Sequence, residues 1–173
     1  MKTKAVSNIT ELRAVELLNR TLLFKALTAE EKRMFAEIKG IFRLAKAGAM
    51  FIEQGHADYS IYVIMSGEAE VHKDGVLVGQ VAAGQFVGEV SFVTRERRTA
   101  SVLAVTDMIL LRIDAESFRR LPIQAREIVK DKMIEGLHHR VERMNAEIIK
   151  FRHLLAAKNA ELPEVGNEND LML

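Results

Sequence analysis

Apolar and polar positions follow three different rhythms along the chain. In the first forty residues Leu12, Val15, Leu18 and Leu22 recur at helical spacing. Thr28-Ala29-Glu30-Glu31 has the form of a capping box, with Thr28 at the N-cap and Glu31 reaching back from the third helical position. Two short helices are expected over 1–40. From Ile41 to Ile113 the apolar pieces shorten and become β-branched: Met50-Phe51-Ile52, Ile61-Tyr62-Val63-Ile64, Val76-Leu77-Val78, Val102-Leu103-Ala104-Val105 and Ile109-Leu110-Leu111. Turn signals at Gly55, Ser66-Gly67, Asp74-Gly75 and Ala83-Gly84 separate the first of them, and eight of the ten glycines fall between Gly40 and Gly88. Many short strands with regular turns predict an antiparallel barrel or sandwich, because closure is how such sheets avoid exposed edges.

After Asp114 the rhythm is helical again. Pro122 suits a first helical turn, and Gly136 is the one internal breaker before Pro163. Ile134, Leu137, Val141, Met144, Ile148, Phe151 and Leu155 alternate spacings of three and four over three heptads, the pattern of a coiled-coil seam. In that register Glu147 takes a g position and Arg152 the following e, which suits an ion pair between chains of a parallel homodimer. The same stripe could instead pack on the barrel of its own chain. The fold expected is α+β: an antiparallel barrel or sandwich over 41–113, flanked by an N-terminal helical segment over 1–40 and a long dimerisation helix over 114–162, with a flexible tail over 163–173.

Composition narrows the function. Twenty-five Lys and Arg against 24 Asp and Glu leave a net charge of +1, so no global field gathers a polyanion onto the surface. The longest uncharged run, Gly75 to Gly88, has 14 residues and is too short for a membrane span of about 20 apolar residues. Charges at Lys2, Lys4, Glu11 and Arg13 break up any signal-peptide core, and the absence of Cys excludes disulfides, thiolate metal sites and Cys nucleophiles. A cytoplasmic protein is expected. The five His are scattered and match no metal-binding cupin set, and neither a nucleophile elbow nor a Walker-type Gly-Lys pair occurs, so the expected catalytic and metal residues are none.

The chemistry concentrates between Phe86 and Val102. Gly88 lets backbone approach a ligand, Glu89 offers an acceptor pair suited to ribose hydroxyls, Arg98 offers a planar fork that matches a phosphate diester, and Thr99 adds a hydroxyl. Gly88-Glu89 followed by Arg98-Thr99-Ala100 resembles the phosphate-binding cassette of cyclic nucleotide-binding domains. The run from Thr94 to Val102 is similar to that of hyperpolarization-activated, cyclic nucleotide-gated channels, and the domain as a whole also resembles those of catabolite activator protein and cyclic nucleotide-dependent kinases. Val87 replaces a common Phe, and Arg97 a common Pro. Leu23-Phe24-Lys25-Ala26-Leu27-Thr28 resembles the family's first helix motif. Phe51 to Gly55, Asp58 and Ile61 to Val71 resemble its barrel signature, so the likeness runs from about Leu23 to Met144.

The resemblance implies that 41–113 form an antiparallel, jelly-roll-like β-roll, that the long helix over 114–162 acts as a lid, and that the chain is a receptor for cAMP or cGMP without catalysis or other cofactor. It implies that Glu89 takes the ribose 2′-hydroxyl, that Gly88, Val90 and Ser91 line the sugar-phosphate, and that Arg98 and Thr99 hold the cyclic phosphate, with Val87 and Ala100 also among the binding residues. Val71 and Val81 would pack against the base, with plain barrel core as the other reading of both. Leu137, Arg140 and Val141 would close over the base from the C-terminal helix. The partners expected are the nucleotide, a second copy through that helix, and a separate effector protein. The transcription factors of the superfamily carry a helix-turn-helix after the long helix, whereas Asn and acidic residues predominate after Pro163, so direct DNA binding is not expected. With 22 residues ahead of Leu23, the chain is not expected to be a channel. The alternative is an interaction dimer with a vestigial pocket.

Overall fold

A computed structural model describes residues 4–5, 11–21 and 24–160. Leu22, Leu23 and the expected tail over 163–173 lie outside them. The N-terminal helices are α1 (Glu11–Arg20) and α2 (Ala29–Ala36), and the capping box at the start of α2 forms in both directions: Thr28 Oγ1 accepts from Glu31 N at 3.2 Å while Thr28 N donates to Glu31 Oε2 at 2.8 Å. The segment read as wholly helical also contributes a strand, β1 (Lys4–Ala5), antiparallel to β2 (Phe42–Ala45). Two residues are too few to show a period.

The remaining strands are β3 (Met50–Ile52), β4 (Ile61–Ser66), β5 (Glu68–Lys73), β6 (Val76–Ala82), β7 (Phe86–Val87), β8 (Ser101–Ala104) and β9 (Met108–Ile113). They form two antiparallel sheets, one ordered β1-β2-β9-β4-β7 and the other β3-β8-β5-β6. The fold is the expected β-roll with helices on either side in sequence. Between β7 and β8 lies a short helix, α3 (Glu89–Thr94), and β9 is followed by α4 (Ala115–Arg120) and α5 (Ile123–Ala160). Pro122 immediately precedes α5, where its missing N–H costs no helical bond. Asp74-Gly75 makes the two-residue turn between β5 and β6, with φ of 51° and 80° and Lys73 opposite Val76, as an Asp-Gly hairpin requires.

β4 organises the packing. All of Ile61 to Met65 are buried, so the strand has no solvent face, and its alternate residues serve two separate cores. Ile61, Val63 and Met65 join Phe24, Phe35, Leu111 and Ile113 with Leu121, Ala125 and Val129 in a core shared with the helices. Tyr62 and Ile64 join Phe51, Val87, Val102, Met108 and Leu110 between the sheets. Each large apolar side chain so covered contributes about 1.5–3 kcal/mol.

The chain divides into two units, Met1–Gly136 and Leu137–Leu173. The second consists, among the described residues, of the C-terminal part of α5, where Val141, Met144, Ile148, Phe151 and Leu155 are exposed.

Gly67, between β4 and β5, has φ of +90°, and a Cβ there would stand 2.8 Å from Asp107 O, Met108 Cγ and Thr106 Oγ1. Gly84 has φ of +89° with open space around it. Gly84→Ala is therefore expected to cost about 1–2 kcal/mol from left-handed strain alone, and Gly67→Ala about 1–3 kcal/mol more from overpacking. Urea midpoints at unchanged slope would show the order; equal losses would contradict it.

Candidate functional site

The site grows from the junction of β7 and α3. β7 carries Phe86 into the helix-side core and Val87 into the inter-sheet core. Gly88 then adopts φ of +85°, and the chain turns into α3. A Cβ at Gly88 would collide with the Arg98 guanidinium and stand 2.9 Å from Ser60 O, so both backbone angle and space demand glycine. α3 begins with Glu89, 3% exposed, and buries Ser91 and Phe92; Val90 is half-buried. It ends at Arg95, left-handed at φ of 62°, whose guanidinium lies 5.2 Å from the Phe92 ring centroid.

Arg98 is brought back under this turn by its own backbone. Its N–H donates to His56 O at 2.9 Å, and its carbonyl accepts from Gly55 N at 2.8 Å. The side chain is buried, 3% exposed. Nη1 donates to Gly88 O at 3.0 Å, and Nη2 donates to Asp58 Oδ2 at 2.8 Å and to Ser60 O at 2.6 Å. Nε has no hydrogen-bond partner although it is buried. Such an orphan costs about 1–3 kcal/mol unless something accepts from it.

Asp58 is held for this purpose. Its Oδ1 accepts from Ser60 N at 3.1 Å and Ser60 Oγ at 2.9 Å, an Asx turn leading into β4, and its Oδ2 also accepts from the Tyr62 hydroxyl at 3.4 Å. Burial acts most strongly on its carboxyl and pushes the pKa up. The bonded Arg98 charge and the two Ser60 bonds together outweigh it, and the pKa lies below the ordinary carboxylate value. On the far side Arg112 Nη2 lies 3.6 Å from Asp58 Oδ1, while Arg112 Nη1 donates to Asp114 Oδ2 at 3.2 Å. Asp58, Ser60, Tyr62 and Arg112 were not among the expected site residues; the Asp-x-Ser spacing before a strand is the signal that could have found the first two.

The other expected residues fall into three groups. Val71 and Val81 are partly buried and pack on the inter-sheet core, in the same cluster as Val87. Thr99 is exposed and Ala100 half-buried, directly after Arg98. Leu137, Arg140 and Val141 belong to the second unit, on one face of α5 by spacing.

Residues 42–124 match the sequence model of the cyclic nucleotide-binding domain. A cGMP-dependent protein kinase, egl-4, from Caenorhabditis elegans is 35% identical over 77 residues, 44% of this chain and 10% of the kinase. The cAMP-dependent protein kinase type II regulatory subunit of Drosophila melanogaster is 32% identical over 120 residues, 66% of this chain and 32% of the subunit. The chain therefore spans a third or less of either relative's length. Among solved structures, a cyclic nucleotide-binding domain from Methylobacillus flagellatus has the same fold, with a TM-score of 0.64 at 20% identity, covering 81% of this chain and 83% of that one. Among the described residues no group of His, Asp and Glu is placed to hold a metal ion, and no helix is long and apolar enough to cross a membrane.

A carboxylate whose folded pKa is lowered adds stability above its unfolded pKa of about 3.9, and that stability is lost as pH falls through the folded value. Asp58 therefore adds to the acid limb of stability. Asp58→Asn should flatten the fall of the thermal midpoint below about pH 4; parallel curves for the two proteins would refute the assignment.

Proposed function

We propose that the chain is a receptor module for a cyclic nucleotide, cAMP or cGMP, and does no chemistry on it. The observation that carries this reading is Arg98: a buried guanidinium held on three sides, with Nε unpartnered and Nη1 lying where a side chain at Gly88 would collide with it. A guanidinium already fixed loses little freedom when an anion arrives, so its charge-assisted bonds go mainly into affinity. The cyclic phosphate takes Arg98, with Thr99 and Ala100 beside it. Gly88, Val90 and Ser91 line the sugar-phosphate, and Glu89 receives the ribose 2′-hydroxyl. Val71, Val81 and Val87 present the apolar surface for the base. The match of residues 42–124 and the cGMP- and cAMP-dependent kinases among the relatives support this assignment.

The reading extends to output. Ligand acts by favouring one arrangement of α5 over another, which requires different contacts in the two states. The exposed seam from Ile134 to Leu155 pairs with a second copy in parallel, with Glu147 facing Arg152 across the chains, and a cytoplasmic effector protein reads the change. The same exposed seam favours a second reading, an interaction dimer whose pocket no longer binds nucleotide. Ligand titration separates the two.

Calorimetry should show cAMP or cGMP binding at micromolar Kd or tighter, and Arg98→Ala should weaken it by roughly ten- to a few hundred-fold. Millimolar nucleotide without heat or thermal shift would leave the interaction-dimer reading in place. In sedimentation, Ile148→Lys should convert a dimer to a monomer, whereas a wild-type chain that is already monomeric at high concentration would remove the dimer.

A further inference from the structure

Arg98, Asp58, Arg112 and Asp114 form a chain of alternating charges that leads out of the nucleotide site and ends at a helix cap. Asp58 stands between two guanidiniums, bonded to Arg98 at 2.8 Å and 3.6 Å from Arg112. Arg112 faces two carboxylates, Asp58 and Asp114, the latter at 3.2 Å, and also interacts with Tyr62, whose hydroxyl donates to Asp58. Asp114 is the N-cap of α4, its Oδ1 accepting from Ser117 N at 2.8 Å. The Arg98 side chain is 2% exposed, and those of Asp58, Arg112 and Asp114 are between 28% and 39% exposed, so these charges are only partly screened by water.

We propose that Arg112 is a positioning residue that sets the anion affinity of Arg98 by dividing itself between Asp58 and Asp114. This rests on the nucleotide-receptor reading for its ligand, though not for the linkage itself. Asp58 both anchors Arg98 and opposes an incoming phosphate, since its negative charge competes for the same guanidinium. Arg112 relieves that opposition in proportion to how closely it approaches Asp58. At 3.6 Å the approach is incomplete, about 0.7 Å longer than a charge-assisted bond. The pull of Asp114 on the other side keeps it so. When phosphate engages Arg98, the Asp58 charge falls more on Arg112, which moves toward Asp58 and away from the cap of α4. By linkage, whatever removes the hold of Asp114 on Arg112 must strengthen phosphate binding to the same extent.

The test is a double-mutant cycle on the full chain with cAMP, read by calorimetry. Asp114→Asn keeps a good N-cap, because Asn caps as well as Asp, and removes only the charge. It should tighten cAMP binding by about five-fold, the low end of typical coupling. Arg112→Met, which keeps the length of the apolar stem, should weaken binding, and in that background Asp114→Asn should have no further effect. Equal tightening by Asp114→Asn with and without Arg112 would mean that bulk charge alone acts, and would overturn the proposal. A purely structural role for Arg112 predicts loss in every variant and tightening in none. Carboxyl NMR titration of Asp58 in the ligand-free protein decides the linkage separately. Asp114→Asn should lower the Asp58 pKa in the wild-type background and leave it unchanged in Arg112→Met. If wild type binds neither cAMP nor cGMP, the receptor reading fails while this titration still upholds or refutes the linkage.

Discussion

The burial of the Arg98 guanidinium is the constraint on which the site depends. A cation taken out of water survives only with a partner charge and good hydrogen bonds, because its desolvation costs several kcal/mol. Here Asp58 supplies the charge, and the carbonyls of Gly88 and Ser60 supply the remaining bonds. Three loops must then meet: the turn before β4 that holds Asp58 and Ser60, the turn into α3 at Gly88, and the segment that carries Arg98. None of the three is set by its own propensity alone. The backbone pairing of Arg98 with Gly55 and His56 fixes the last of them, and the Asx turn fixes the first.

The sheets supply the rigidity this needs. β4 pairs with β9 on one side and β7 on the other, so the Asp58 turn, the Gly88 turn and Arg112 of β9 are delivered by three hydrogen-bonded neighbours in one sheet. Burying both faces of β4 makes its register costly to shift, since a slip of one residue would exchange the two cores' side chains. Tyr62 shows the economy of this arrangement: its ring packs against Phe51 at 5.5 Å between the sheets while its hydroxyl reaches Asp58 and its face lies 5.9 Å from the Arg98 guanidinium carbon. One residue thus ties the core to the charged site.

Much of this was legible in the sequence because it is local. The Thr28–Glu31 box, the Asp74-Gly75 turn and the apolar run at β4 each announce themselves within a few residues, and the structure forms each of them. Gly88 and Arg98 stood out by spacing and by resemblance, and the structure brings them into contact. What was not legible is the pairing that supports them. Asp58 is 40 residues from Arg98, and Arg112 is a polar residue in an otherwise apolar strand with nothing in its neighbourhood to name Asp58 as its partner. Sequence period reports which face a side chain takes; it does not report which strand lies beside it. β1 escaped for the opposite reason, being too short to have a period.

The position of α3 shows how the turn at Gly88 depends on the helices that follow the roll. Six residues make too little helix to persist alone, since the first turn is the costly one to form. Its conformation therefore depends on what it packs against. Phe92 supplies that contact, meeting Phe118 of α4 edge to face at 5.5 Å and sharing a core with Leu121 and with Ala125, Val129 and Met133 of the first half of α5. Residues at the start of α3 thus belong to an element whose stability derives from α4 and α5. Any change in the order or angle of α3 must be repaid in that shared core, where close packing tolerates few intermediate arrangements. Two routes consequently join the same pair of elements, an apolar one through Phe92 and a charged one through Asp58 and Arg112. They differ in a physical respect: salt and pH act on the second and leave the first nearly unchanged.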